Sequence, residues 1–199
     1  MTSMSPSQDA SLPDTFTFAD ARAAGLTPDR LYQLRDQGQV EQVSRGLYHK
    51  TAAPWSADID LIEIAVRAPA GTLCLTSALA RHGLTDEIPA AIDVALPRGI
   101  WKPAVNAPVT WHSFAPSTFD LGRETTGLGD GLEIGLYSAP RTIIDVFRLG
   151  YREGSDLAVS ALRRWLREPG HHPAELVDLA AHFPKARRGL RTALEILLA

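Results

Sequence analysis

The chain has 199 residues, with 20 Lys and Arg set against 23 Asp and Glu and a formal charge of −3. That length suits one small domain plus a larger one, and the charge excludes a uniformly basic nucleic-acid coat while leaving room for a local basic patch. Cys74 is the single cysteine, which excludes an internal disulfide framework and a zinc site of paired thiolates and makes a reducing, cytoplasmic compartment the expectation.

Residues 1–14 are rich in Ser and Pro, lack the apolar core of a signal peptide, and read as a disordered tail. No later segment has the ~18 consecutive apolar residues of a membrane span, so no membrane contact is expected.

The first periodic stretch runs from Thr17 to Ala24. Thr17 and Asp20 are spaced as a capping pair, and Gly25 is placed to end the helix. Thr27-Pro28-Asp29 then offers a hydroxyl N-cap, a proline at the first helical position and an acid in the first turn, so a second helix starts at Pro28 and stops at Gly38. Leu31 and Leu34 mark its inner side. Two short helices joined by Gly25, Leu26 and Thr27 suggest helix-turn-helix geometry.

From Gln39 the period changes to two: Val40, Gln42 and Ser44 interleave with Glu41 and Val43, Arg45-Gly46 turns, and Leu47 to Lys50 continues as strand. This is a β-hairpin wing, and residues 15–53 together read as a winged helix-turn-helix domain.

Past Pro54 and Ser56, a larger domain of residues 56–199 begins with a helical stripe of Ile59, Ile62 and Val66 ending at Pro69-Ala70-Gly71. Strands are predicted at Leu73–Leu75, Ile92–Leu96, Val109–Phe114 and Leu132–Tyr137, with a short helix at Ser77–His82. Further helices are predicted at Pro140–Leu149, Ser155–Arg167, Pro173–His182 and Ala186–Leu198. Strand–helix alternation is not sustained, so the fold class is α+β, a winged helix-turn-helix followed by a mixed α/β domain that ends in a helical bundle.

In a winged helix the second helix enters the major groove and the wing touches phosphate or minor groove. Opposite Leu31 and Leu34 the sequence places Arg30, Gln33 and Gln37 in one row, with Asp29 and Tyr32 beside it and Thr27 at the helix start. Arg and Gln read guanine and adenine bidentately. Ser44, Arg45 and Lys50 would serve the wing's contacts. Residues 27–50 hold four basic and three acidic residues, so a solvated helical cap is the bland alternative.

The run from Phe16 to Tyr48, above all Gly38 followed by Val43-Ser44-Arg45-Gly46-Leu47-Tyr48, resembles the N-terminal winged-helix domain of the AbiE-type (AbiEi) antitoxins of type IV toxin-antitoxin systems. The resemblance continues through Leu75-Thr76-Ser77-Ala78-Leu79 with His82-Gly83-Leu84, Val94 to Gly99, and Ala139 to Asp145. It implies an antitoxin that represses its own operon through the winged helix while a C-terminal domain neutralises a nucleotidyltransferase-like toxin.

The alternative class is a nucleotide-processing enzyme, a metal-dependent nucleotidyltransferase or nuclease, with the winged helix as an interaction module. Its motifs are weak. The Pro140–Leu149 helix is apolar nearly all round, which makes Arg141 and Asp145 an i,i+4 pair at its rim, and no second acid stands near Asp145 at a recognisable spacing. Gly154-Ser155 follows Asp58-Ile59-Asp60 where the nucleotidyltransferase order is the reverse, and Asp93 on its strand is followed by Glu133-Ile134-Gly135 without the nuclease lysine. His171-His172 with His182 lack a metal-site spacing. No catalytic residue, metal or cofactor is expected.

From Arg163 to Arg191 there are seven basic and three acidic residues. On the last helix Leu190, Leu194 and Leu197 form the inner stripe and leave Arg187, Arg188 and Arg191 outside it. They read as a second anionic-partner surface, for DNA backbone or an acidic patch of a toxin, or else as a solvated face; Arg98, Trp101 and Lys102 form a weaker candidate of the same kind. One winged helix reads only a few base pairs, so the expected DNA partner is an operator with an inverted repeat, occupied by a dimer or by two monomers.

Overall fold

The computed structural model describes residues 12–149 and 155–199. Most of the expected tail and Gly154 lie outside them. Leu12 to Asp14, part of the expected tail, belong to the fold: Leu12 is buried, and the carbonyl of Asp14 accepts from the Lys50 amide at 2.9 Å.

The N-terminal unit is β1 (Thr15–Thr17), α1 (Phe18–Ala23), α2 (Pro28–Asp36), β2 (Val40–Ser44) and β3 (Leu47–Lys50). Thr17 caps α1 through a reciprocal box: its hydroxyl accepts from the Asp20 amide at 3.1 Å, and the Asp20 carboxylate accepts from the Thr17 amide at 2.8 Å. Thr27 caps α2, with its hydroxyl accepting from the Arg30 amide at 3.3 Å and Pro28 opening the helix. The three strands form an antiparallel sheet in the order β1-β3-β2. Phe16, Ala21, Leu26, Leu31, Leu34, Val40 and Tyr48 fill the space between sheet and helices.

The remainder is built on a five-stranded mixed sheet. It comprises α3 (Ile59–Arg67), β4 (Thr72–Leu73), α4 (Leu75–Arg81), β5 (Ile92–Pro97), β6 (Val109–Phe114), α5 (Pro116–Phe119), β7 (Arg123–Gly129), β8 (Leu132–Tyr137), α6 (Ala139–Arg148), α7 (Ser155–Arg167), α8 (Pro173–Ala180) and α9 (Pro184–Leu197). The strand order is β6-β5-β4-β8-β7, parallel at β5/β6 and β4/β8 and antiparallel at β4/β5 and β7/β8. Successive strand residues alternate between two apolar layers. Leu73, Val94 and Ile134 pack with α3, while Cys74, Ala95 and Tyr137 pack with α6, α7, α8 and α9. Among the described residues no helix is long and apolar enough to cross a membrane.

Two expectations are corrected here. The strand placed at Leu73–Leu75 lies at Thr72–Leu73, and the helix placed at Ser77 starts at Leu75. Every residue from Gly71 to Leu79 is buried, so no alternation marks the change of period. The central position of β4 also demands a close approach: a Cβ on Gly135 of β8 would lie 2.6 Å from the Thr72 hydroxyl and 2.8 Å from the Gly71 carbonyl.

The second correction concerns Arg141 and Asp145. They are at no rim; both are 0% exposed. The Arg141 Nε donates to Asp145 Oδ2 at 3.0 Å, and its Nη1 donates to the carbonyls of Thr118, at 2.7 Å, and Leu121. Its guanidinium carbon lies 4.3 Å from the ring centres of both Tyr137 and Phe183. The unpartnered Nη2 therefore sits in an aromatic cage rather than in an apolar void. Arg148 closes on Asp145 Oδ1 from the other side at 2.8 Å. Burial pushes the Asp145 carboxyl up, and the two guanidiniums pull it back. Both carboxylate oxygens are thus committed to guanidinium groups, and the cluster ties α6 to the α5 turn and to α9.

Candidate nucleic-acid interface

In α2 the buried residues are Leu31 and Leu34, and Thr27, Asp29, Tyr32, Gln33 and Gln37 are exposed. At roughly 100° per residue, Arg30 stands about 70° from the middle of the leucine stripe rather than opposite it. It is accordingly half-buried, with its Nε buried and without a hydrogen-bond partner. The face opposite the leucines is made by Asp29, Tyr32, Gln33 and Asp36. Arg35, absent from the row predicted for this face, answers Asp36 at 2.9 Å and lies 5.1 Å from the Tyr32 ring centre. The i,i+3 spacing of Tyr32 and Arg35 was the signal available for it.

The wing turns at Arg45-Gly46, where Gly46 takes a φ of +80° that a side chain would resist. Its carbonyl accepts from the Phe18 amide at 2.9 Å, which pins the tip against the start of α1. Arg45 is exposed at this tip.

The other two wing residues differ from expectation. Ser44 has a buried hydroxyl, so it presents no donor to solvent. Lys50 stands at the far end of β3 from the tip, paired with Val40, and its ammonium donates to the Leu12 carbonyl at 2.6 Å. The first contributes to packing and the second fastens the segment leading into β1.

His49 is buried in the same sheet. Its Nε2 lies 3.3 Å from the Ala53 carbonyl, which can only accept, so that nitrogen donates there, and Nδ1 lies 2.9 Å from the Thr15 hydroxyl. Trp55 stacks on the ring with centroids 4.1 Å apart.

The wing is not a free hairpin. Leu47 is 1% exposed and packs with Leu61, Ile62, Leu128 and Ile134 of the larger unit, and Val43 is partly buried against the same cluster.

The second set of basic residues divides between two places. Arg98, Trp101 and Lys102 belong to the β5–β6 connection, where Trp101 is 84% exposed and the Lys102 ammonium lies 3.4 Å from the Trp111 carbonyl. Arg187, Arg188 and Arg191 are exposed on α9 and border a groove of about 470 Å³ floored by Val177, Ala180, Leu190 and Leu194. Arg191 is 3.6 Å from Glu195.

The residues considered for enzyme chemistry have other partners. Asp93 is buried and its Oδ1 lies 2.9 Å from His112 Nε2; Asp58 pairs with Arg81 at 2.6 Å. His171 is stacked on Trp165 with centroids 4.6 Å apart. Among the described residues no three His, Cys, Asp or Glu side chains converge where they could hold a metal ion.

Comparison with known proteins agrees with the N-terminal geometry. Residues 9–48 match the family model described as transcriptional regulator, AbiEi antitoxin, a span that holds β1, both helices and the wing tip. No curated protein matches the chain. The crystal structure of the RV2827C protein from Mycobacterium tuberculosis is similar in fold, with a TM-score of 0.62, 18% sequence identity, and coverage of 92% of this chain and 72% of that one. Residues 9–48, which hold the helix–turn–helix and the wing tip, thus match the AbiEi antitoxin transcriptional-regulator family, the one that the Phe16–Tyr48 motifs resemble.

Proposed function

We propose that this chain is a DNA-binding autorepressor and the antitoxin of a type IV toxin-antitoxin system, working in the cytoplasm without catalysis of its own. The observation that carries the reading is the coincidence of the AbiEi regulator match at residues 9–48 with a β1-α1-α2-β2-β3 unit whose second helix and wing tip both reach solvent. In this reading α2 lies in the major groove. Gln33 and Gln37 face base edges, Arg30 approaches from the helix flank, and Thr27 with the first α2 amides meets phosphate. Arg45 supplies the wing's phosphate contact. Two copies occupy the half-sites of an inverted repeat, since one module reads too few base pairs for genomic selectivity.

The partner of the C-terminal region is a nucleotidyltransferase-like toxin, and the α9 arginines are its candidate surface. The apolar lining of their groove, with Val177 exposed in it, favours a protein over DNA there, because phosphate gains nothing from an apolar side chain. Arg98 and Lys102 are left as the flanking-DNA candidates.

A reporter driven by the chain's own promoter tests the regulatory half. Expression is expected to fall severalfold when the chain is supplied in trans and to recover with Arg30→Ala plus Gln33→Ala. Unchanged expression with wild-type chain would remove the repressor role.

A further inference from the structure

The β2–β3 ladder slips between Gln42 and Ser44: Gln42 pairs with Tyr48 and Ser44 with Leu47, which leaves Val43 as a bulge. A bulged residue loses its place in the ladder, and the Val43 carbonyl takes a donor from outside the sheet. The donor comes from the larger unit. Asn106, 63 residues away, places its Nδ2 2.9 Å from the Val43 carbonyl.

Asn106 is itself held. Glu63 of α3 is 2% exposed, and its carboxylate accepts from the Asn106 amide at 3.0 Å to each oxygen and from the Ala107 amide at 2.9 Å. Burying a carboxylate is costly unless such bonds compensate it. Here they compensate it by fixing the two residues that carry the wing's donor. Leu47 and Val43 anchor the wing on the same cluster that α3 lines, so a directional bond is laid over an apolar contact that by itself sets no register.

We propose that Asn106 is a positioning residue of the DNA interface, and that Glu63, Asn106 and the Val43 carbonyl form a chain through which the C-terminal unit sets where the wing tip lies relative to α2. Arg45 is two residues beyond the held carbonyl. The wing of this protein thus depends on the larger unit for its placement. The inference rests on the DNA-binding reading for its consequence, while the hold on the wing stands on geometry alone.

Asn106→Ala tests it, because the backbone bonds to Glu63 survive and the side chain is exposed, leaving the fold intact. Asn106→Asp is the near-isosteric companion that removes the donor and adds a negative charge facing the Val43 carbonyl, so its promoter affinity is read against that of Asn106→Ala. In the free full-length protein, amide exchange in residues 40–50 is expected to speed up about fivefold or more in both variants, with α2 and the five-stranded sheet unchanged. Promoter-duplex affinity is expected to fall about tenfold, with a salt slope shallower by about one. Wild-type exchange rates in both variants would overturn the hold on the wing. Faster exchange with unaltered promoter affinity and slope would overturn the positioning role. If the wild-type protein shows no promoter binding, the DNA reading fails instead, and the exchange measurement still decides whether Asn106 holds the wing.

Discussion

Replacing Arg141 with alanine is expected to lower stability by about 3–5 kcal/mol, the range for breaking a buried ion pair from one side. The guanidinium is 0% exposed and serves three acceptors at once: Asp145, and the carbonyls of Thr118 and Leu121. Alanine leaves two carbonyls without their donor at about 1–3 kcal/mol each before relaxation, and it empties the space between Tyr137 and Phe183. Arg148 remains beside Asp145 but is 22% exposed on its side chain and reaches only Oδ1, so it offsets part of the loss. Against a total stability of about 5–15 kcal/mol, the variant should melt roughly 10 °C or more below the parent in calorimetry. Arg141→Lys keeps the charge and should still lose most of this, because an ammonium cannot reproduce the planar fork that spans these acceptors. A cost below about 1 kcal/mol for Arg141→Ala would show that the cluster is not the joint between α6, the α5 turn and α9.

The second large effect concerns sequence reading. Arg30→Ala and Gln33→Ala should each reduce the preference for the promoter half-site over single-base variants by about 1–3 kcal/mol at the contacted pair, with less change in binding to unrelated duplex. Arg45→Ala should weaken all duplexes alike and reduce the salt slope by about one, since a wing-tip guanidinium meets phosphate. Lys50→Ala should behave differently from Arg45→Ala. Its ammonium holds the Leu12 carbonyl at 2.6 Å, so its loss should loosen the segment before β1 rather than remove a phosphate contact. Titrations of matched and mismatched duplexes at three salt concentrations separate these outcomes. If Arg30→Ala and Gln33→Ala discriminate among half-site variants as the parent does, α2 is not the reading helix.

The boundaries of α2 were legible because Thr27-Pro28 and Gly38 are local signals whose physics does not depend on the rest of the fold. The three-residue strand β1 was not, since three residues carry no period. Strand β7, Arg-Glu-Thr-Thr-Gly-Leu-Gly, has one buried residue and becomes a strand through pairing with β8 at the sheet edge. The i,i+4 spacing of Arg141 and Asp145 is the same on a rim as in a core. What buries the pair is the docking of α9 and the α5 turn, which local sequence does not encode. At the interface, Gln33, Gln37 and Arg45 are exposed, while Arg30 is half-buried and leaves the row drawn opposite the leucines. Leu31 and Leu34 define a stripe that Arg30 flanks, and a row drawn by three- and four-residue steps hides that 70° offset. Asn106 was beyond reach from sequence, because its role depends on a bulge at Val43 that exists only in the pairing of β2 with β3.

The larger unit emerges from this as a participant in the placement of the wing. It presents an apolar cluster to Leu47, a donor to Val43, and a separate arginine-bordered groove on α9. In the proposed reading, operator binding by α2 and the wing tip and partner binding at the α9 groove fall on different elements of one chain.

The most direct measurement is equilibrium binding of the purified full-length protein to its own promoter region, compared with a shuffled duplex of equal length and composition at about 150 mM salt. The account predicts a preference of about a thousandfold or more, the lower range for specific over non-specific binding, with a footprint covering two inverted half-sites about one helical turn apart or a multiple of it. Equal affinity for promoter and shuffled duplex would contradict it.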